Sequence, residues 1–165
     1  MGRKVKAAKT TNAMRELAKA KVPFATVQYE VDEDDLSGTH VAETLGEDCA
    51  TVFKTLVTLS DAREPLVCCI PVDAELDVKA AARAFGVKSL SMLHVRDLMA
   101  TTGYIRGGCS PIGMKRRFRT VIDESCLALG HMYVSGGCRG MQIDIAPDDL
   151  IEFVGAITAS ITMKG

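Results

Sequence analysis

Tryptophan is absent from the 165-residue sequence, which has only three tyrosines and five phenylalanines. Aliphatic side chains must therefore fill most of any core. No apolar run approaches the roughly 20 residues that span a bilayer. The N-terminal Met-Gly lacks the Ser or Thr that a myristoylation signal places at its sixth residue, and no secretory signal follows it. These absences predict a cytoplasmic protein that is not attached to a membrane.

Close pairs of metal ligands are missing as well. The six cysteines include no Cys-x-x-Cys pair, and the adjacent Cys68 and Cys69 would point to opposite faces of a strand. The three histidines, His40, His94 and His131, are far apart in the sequence. We therefore expect no metal, no other cofactor and no disulfide framework, as is usual in a reducing compartment.

Nucleotide-binding and hydrolase motifs are also absent. The sequence contains neither Gly-x-x-x-x-Gly-Lys-[Ser/Thr] nor Gly-x-Gly-x-x-Gly. Ser110 and Ser135 are candidate nucleophiles, but neither lies in a Gly-x-Ser-x-Gly turn and no histidine lies close in sequence to complete an obvious triad. Both serines are better explained as residues that cap turns.

The charged residues are segregated although the formal net charge is only −1. The stretch between Asp97 and Asp123 contains no acidic residue. Such a run is often ordinary solvated surface, but it can also bind a polyanion locally. The candidate RNA-binding residues of this stretch are Lys115, Arg116, Arg117 and Arg119.

The pattern of apolar and turn residues predicts an α+β fold. The predicted strands are residues 25–31, 51–60, 66–72, 119–122, 132–135 and 141–145. The predicted helices begin near residues 12, 40, 78, 94 and 147, and the last of them runs to about residue 157. We expect one domain, residues 11–165, in which a mixed sheet curls towards a barrel with helices outside it. Residues 1–10 form a basic tail.

Two glycine-rich stretches repeat one design. Tyr104-Ile-Arg-Gly-Gly-Cys is echoed by Tyr133-Val-Ser-Gly-Gly-Cys. Glycine permits positive φ and the close approach of another backbone or a ligand. Tight turns alone would account for either stretch, but the repetition predicts that both converge on one pocket.

Lys54 interrupts an otherwise apolar strand. An ammonium group at such a position is unfavourable unless it reaches solvent or meets a partner. Lys54 is therefore either an outward-facing strand lysine or a cation placed to hold a carbonyl, carboxylate or phosphate group.

Three segments carry a resemblance to a known family. They are Val52-Phe-Lys-Thr-Leu-Val, Thr102-Gly-Tyr-Ile-Arg-Gly-Gly-Cys-Ser-Pro-Ile-Gly-Met-Lys-Arg-Arg and Tyr133-Val-Ser-Gly-Gly-Cys-Arg-Gly. The sequence resembles the YbaK family of bacterial aminoacyl-tRNA deacylases, which is related to the editing domain of prolyl-tRNA synthetase. The resemblance runs from about residue 11 to residue 153. It is strongest to the branch that hydrolyses Cys-tRNA(Pro).

This resemblance implies a trans-editing hydrolase that deacylates Cys-tRNA(Pro). Lys54 matches the essential lysine of the family, and the basic run would hold the acceptor end of tRNA through phosphates. The implied nucleophile is the thiol of the substrate itself, with tRNA as a partner and prolyl-tRNA synthetase as a second candidate partner. The implied substrate-binding residues are Tyr29, Thr55, Gly107, Gly108, Ser135 and Gly136.

Three positions depart from the family pattern. Cys109 stands where an aliphatic residue is usual, Cys138 where a basic residue is usual, and Gln142 where an acidic residue is expected. Two other functions stay open at this point: deacylation of a different misacylated tRNA, and a non-catalytic module that binds aminoacyl-tRNA or a synthetase.

Overall fold

The computed structural model describes residues 10–164. The predicted basic tail, residues 1–10, lies outside the described residues except for residue 10. Within the described range, no helix is long and apolar enough to cross a membrane. The described range contains five α-helices, eight β-strands and three short 3-10 helices.

The helices and strands alternate irregularly along the chain. The α-helices are α1 (Asn12–Lys19), α2 (Gly38–Leu45), α3 (Val78–Phe85), α4 (Leu98–Thr102) and α5 (Pro147–Val154). The strands are β1 (Ala25–Gln28), β2 (Phe53–Ser60), β3 (Pro65–Pro71), β4 (Leu90–Met92), β5 (Thr120–Asp123), β6 (Met132–Ser135), β7 (Met141–Ile145) and β8 (Ile157–Ala159). The 3-10 helices are Cys49–Thr51, Val95–Asp97 and Glu124–Ala128.

Polar side chains define where several helices begin. Thr11 precedes α1 and its hydroxyl accepts a hydrogen bond from the Met14 N–H. The Asp77 carboxylate likewise accepts a hydrogen bond from the Ala80 N–H at the start of α3. Pro147 occupies the first turn of α5, where a missing N–H is harmless. These residues satisfy or remove donors that no carbonyl within the helix could reach.

The strands form two sheets. The larger sheet is mixed and has the order β4-β2-β3-β5-β8, in which β3 lies at the centre. The smaller sheet is antiparallel with the order β1-β7-β6. An isolated bridge between Val52 and Tyr133 links the two sheets. The α+β prediction is confirmed, but the strands form two sheets that do not close into a barrel.

Apolar side chains fill a layer on each face of the larger sheet. On one face Val67, Cys69 and Ile122 pack with residues of the smaller sheet, α1 and α5. On the other face Cys68 and Ile70 pack against α3. The two adjacent cysteines therefore do point to opposite faces, as the alternation of a strand requires. The larger sheet is thus covered by α3 on one side and by the smaller sheet on the other.

Several elements differ from the sequence-based prediction. β1 ends at Gln28 rather than residue 31, and β4 was missed. The last helix ends at Val154 because Gly155 adopts a left-handed conformation with φ of 67°. The chain then enters β8, which pairs in parallel with β5. The prediction that this helix runs to about residue 157 was therefore wrong.

Candidate functional site

The candidate site is a cavity of about 410 Å³ along the open edge of β2. β4 pairs only with residues 58–60, so no strand of the described residues pairs with the first half of β2 on that side. The Val57 carbonyl accepts a hydrogen bond from the Leu93 N–H at 3.0 Å across this edge. Because backbone groups alternate in direction along a strand, the N–H and C=O groups of Thr55 also face the edge.

The walls of the cavity come from distant parts of the chain. The lining residues are 36–38, 41, 52–57, 72, 92, 93, 95, 98, 106, 107, 109, 135 and 142. Most of these residues are apolar. The described lining residues carry two positive charges, Lys54 and Arg106, and no carboxylate. The cavity is therefore suited to a substrate that brings oxygen acceptors or negative charge.

Lys54 is half-buried in the wall of this cavity. Its backbone pairs with Ile70 of β3, which fixes its position in the sheet. Within residues 10–164 its ammonium group makes no hydrogen bond and no ion pair. The neighbouring Thr55 places its hydroxyl 3.8 Å from the Cys69 Sγ. The ammonium group of Lys54 is thus available to a ligand.

The two glycine-rich stretches converge, and they contact each other directly. A Cβ atom at Gly108 would lie 3.0 Å from the Cys138 Cα, so only glycine allows the two backbones this close. The Arg139 Nε donates a hydrogen bond to the Arg106 carbonyl at 2.9 Å. Gly107 lines the cavity from one stretch and Ser135 from the other.

The side chains of both candidate nucleophilic serines stabilise turns by accepting backbone hydrogen bonds. The Ser110 Oγ accepts a hydrogen bond from the Ile112 N–H, and the Ser135 Oγ accepts one from the Gly137 N–H. Ser110 is fully buried and does not line the cavity, whereas Ser135 does. No histidine is among the residues that line the cavity. The described lining residues therefore contain no Ser-His or Cys-His pair.

Gln142 faces the cavity from β7, directly opposite Ser135 in β6. Its side chain is 5% exposed. Its Oε1 atom has no hydrogen-bond partner among the described residues. Although Gln142 lines the cavity, this oxygen atom is buried behind the cavity surface.

Comparisons with known proteins agree with this architecture. The family model for the aminoacyl-tRNA editing domain matches residues 37–153. An Enterococcus faecalis (strain ATCC 700802 / V583) protein named "Putative Cys-tRNA(Pro)/Cys-tRNA(Cys) deacylase EbsC" is 47% identical over 161 residues, which cover 98% of each chain. The chain belongs to the aminoacyl-tRNA editing domain family. The family resemblance seen in the sequence is thereby confirmed.

Solved structures share the fold of this editing domain at low sequence identity. The crystal structure of hypothetical protein APE2540 has a TM-score of 0.84 at 21% identity, covering 93% of this chain and 100% of that one. A structure described as a putative trans-editing enzyme for prolyl tRNA synthetase has a TM-score of 0.80 at 19% identity. It covers 95% of this chain and 100% of that one. Almost the whole described chain thus has the architecture of these proteins.

Two thiols at the cavity, Cys109 and Cys69, are poorly suited to attack a substrate. Cys109 lines the cavity, and burial raises the pKa of its thiol to about 12. Burial also raises the pKa of Cys69, which lies behind Thr55, above its usual range. Since only a thiolate is an effective nucleophile, these groups are almost entirely unreactive at neutral pH.

The predicted basic run lies away from the cavity, because none of its four residues is in the lining. Arg119 donates two hydrogen bonds of 3.1 Å to the Glu64 carboxylate and one to the Phe85 carbonyl. Arg117 donates to the Phe153 carbonyl. Lys115 and Arg116 are exposed, and the Arg116 guanidinium stacks over the Phe118 ring.

Three predicted substrate-binding residues, Tyr29, Gly108 and Gly136, are not among the residues that line the cavity. Tyr29 follows β1 and its N–H donates a hydrogen bond to the Gly140 carbonyl. Gly108 is buried against Cys138 of the other glycine-rich stretch, and Gly136 is buried against Met141 of β7. Sequence reasoning missed Arg106 as a site residue, although its position before the Gly107–Gly108 pair was a usable signal. It also missed the walls from residues 36–41 and 92–98, for which the sequence has no signal.

Proposed function

We propose that this protein is a trans-editing hydrolase that deacylates mischarged Cys-tRNA(Pro). The observation that carries the proposal is the unpaired ammonium group of Lys54 in the cavity of an aminoacyl-tRNA editing domain. The Enterococcus faecalis relative, which matches over nearly its whole length, has a name that includes this substrate. Charged tRNA is a cytoplasmic substrate, so the proposal includes a cytoplasmic location.

Lys54 acts in this proposal on the ester carbonyl. An aminoacyl ester is already activated, so the enzyme has mainly to position it and to stabilise the oxyanion that develops. The Lys54 ammonium supplies one donor. The Thr55 N–H on the open edge of β2 supplies a second, and the backbone of Gly107 bounds the same space.

The nucleophile in this proposal is the thiol of the cysteinyl group. Its sulfur bonds to the ester carbonyl carbon, the bond from that carbon to the ribose oxygen breaks, and the thiol proton ends on the released ribose hydroxyl. The product is a four-membered thiolactone, which water opens to free cysteine. The lack of a nucleophile–base pair among the described lining residues supports this route, as does the high pKa of Cys109.

The tRNA contacts lie outside the cavity in this proposal. Arg106, at the wall of the cavity, is exposed and positioned for the terminal phosphate groups. Lys115, Arg116, Arg117 and Arg119 extend the basic surface towards the acceptor stem. Arg119 contributes least, because Glu64 already holds its guanidinium group. A complex with prolyl-tRNA synthetase is a further part of the proposal.

The decisive experiment is a turnover assay with a panel of charged tRNAs. Substoichiometric protein is incubated with Cys-tRNA(Pro), Cys-tRNA(Cys), Ala-tRNA(Pro) and Ser-tRNA(Pro), and the released amino acid is counted. We expect many turnovers on Cys-tRNA(Pro). One release or fewer per protein molecule would indicate a binding module, and preferential release of another amino acid would indicate a different editing substrate.

A further inference from the structure

Thr55 presents both of its backbone hydrogen-bonding groups to the cavity. In β3 the Val67 N–H donates to the Arg119 carbonyl next to β5, so Val67 and Cys69, two residues further on, direct their backbone groups away from β2. Thr55 lies opposite Cys69, and its N–H and C=O therefore point to the other edge of β2. No strand of the described residues pairs with Thr55 on that edge, where Thr55 lines the cavity.

An aminoacyl ester carries the same two groups as one residue of a β-strand. Its α-amino nitrogen donates, its carbonyl oxygen accepts, and a single α-carbon joins the two groups. In an antiparallel ladder, a hydrogen-bonded pair of residues exchanges two N–H···O=C bonds. The aminoacyl group can exchange the same two bonds with Thr55, in which the ester carbonyl accepts from the Thr55 N–H and the amino group donates to the Thr55 carbonyl. Exposed sheet edges bind extended peptides through main-chain bonds of this kind.

We propose that the open edge of β2 binds the aminoacyl group as an antiparallel partner of Thr55 and thereby selects L-aminoacyl esters with a free amine. This inference rests on the function proposed above and adds recognition of the amino group and of the configuration at the α-carbon. The same pairing brings the ester carbonyl to the two donors assigned to it, the Thr55 N–H and the Lys54 ammonium.

The pairing determines on which face of the sheet the substrate side chain lies. Directly opposite residues of an antiparallel pair place their side chains on the same face. The Thr55 side chain lies on the face of Cys69, whose Sγ is 3.8 Å from the Thr55 hydroxyl. Lys54 and Leu56 alternate to the opposite face, where Ile70 lies. An L-cysteinyl group thus directs its thiol to the Thr55 face, whereas a D-cysteinyl group with the same two hydrogen bonds directs it against Lys54.

The first part of the test compares three esters of tRNA(Pro) on the wild-type protein. They are the L-cysteinyl, D-cysteinyl and 3-mercaptopropionyl esters, and the last of these lacks the α-amino group. All three carry a thiol that can close the same four-membered ring, so differences in rate report on binding at the α-carbon. Hydrolysis without protein is measured for each ester and subtracted.

The second part uses a variant that blocks the open edge. Thr55→Pro removes the N–H that faces the edge and places a ring there, while the hydrogen bonds between β2 and β3 are kept because Thr55 does not contribute to them. Val78→Pro is the matched control. Val78 is the first residue of α3, where proline is favoured, and it does not line the cavity. Thermal unfolding of each variant checks that the fold is retained.

We expect the wild-type kcat/KM to be at least about ten-fold higher for the L-cysteinyl ester than for either other ester, the effect of about one hydrogen bond. A folded Thr55→Pro protein should lose at least about ten-fold on the L-cysteinyl ester together with most of this preference, and Val78→Pro should keep both.

Equal wild-type rates on the L- and D-cysteinyl esters, or on the L-cysteinyl and 3-mercaptopropionyl esters, would overturn the inference. These comparisons decide it even if Thr55→Pro does not fold. An unchanged preference in a folded Thr55→Pro protein would also overturn it. A wild-type protein inactive on all three esters would instead refute the proposed function on which the inference rests.

Discussion

At the scale of single residues, the account depends on one cation in an otherwise apolar strand. Lys54 has no hydrogen bond or ion pair from its side chain to the other described residues, although it is half-buried in the cavity wall. A lysine that served stability would be expected to have a partner or to reach solvent fully. Its position is therefore better explained by a ligand than by folding.

The first prediction follows for Lys54→Ala. Removing one preorganised oxyanion donor costs about 2.7–4 kcal/mol of transition-state stabilisation, or about a hundred- to a thousand-fold in kcat. We expect that loss with a nearly unchanged thermal unfolding temperature. Lys79→Ala, at an exposed position of α3, is the matched control and should keep full activity. Near-normal turnover by a folded Lys54→Ala protein would remove Lys54 from the mechanism.

The protein's cysteines provide the second prediction. Burial raises the pKa of the Cys109 thiol to about 12, so the thiol is protonated near neutral pH. Cys109→Ala should therefore keep most of its deacylase activity, and so should Cys138→Ala and the double variant, because Cys138 does not line the cavity. Deacylation rates are measured at pH 7 and pH 8. Circular dichroism checks that each variant is folded. Loss of activity in a well-folded Cys109→Ala protein would indicate an enzyme nucleophile.

At the scale of elements, the contact between the two glycine-rich stretches positions one wall of the cavity. Gly108→Ala would place a methyl group against the backbone of Cys138 and push the stretches apart. We expect a loss of stability of about 1–3 kcal/mol. We also expect kcat/KM to fall about ten- to a hundred-fold, because displaced binding groups slow the reaction.

A matched control exists at Gly130, where an added Cβ would meet no atom within 4 Å. Gly130→Ala should leave both activity and stability nearly unchanged. The two proteins can be compared by urea unfolding and by steady-state kinetics on Cys-tRNA(Pro). If Gly108→Ala behaved like Gly130→Ala, close packing of the two stretches would not matter for the site.

Elements with strong local signals could be predicted from the sequence. α3 has its Asp77 cap and the Gly86 stop, and β3 is nearly continuously apolar, so both were found. β4 and β8 are three residues long, and their existence depends on pairing with β2 and β5, which no local pattern encodes. Lys54 and the glycine repeats could be singled out because each has a local sequence signal. Arg106 and the apolar walls could not, because their place in the site depends on how distant segments pack.

At the scale of the whole molecule, a net charge of −1 gives no general attraction for RNA. Binding of tRNA must therefore depend on local cations. Replacing both Arg116 and Arg117 with Ala should raise KM and should flatten the dependence of log Kd on log salt by roughly 0.7–0.9 per lost phosphate contact. Arg83→Ala, an exposed change on α3, should leave the slope unchanged. An unaltered slope in the double variant would make the basic run ordinary surface.

The nucleophile is identified by comparing the rates on Cys-tRNA(Pro) and Ser-tRNA(Pro) under multiple turnover. The two substrates differ in one atom, sulfur against oxygen, and a thiol ionises near pH 8.5 whereas a hydroxyl scarcely ionises. If the substrate supplies the nucleophile, kcat/KM should be at least about a hundred-fold higher for the cysteinyl ester. Equal rates on the two esters would contradict the account.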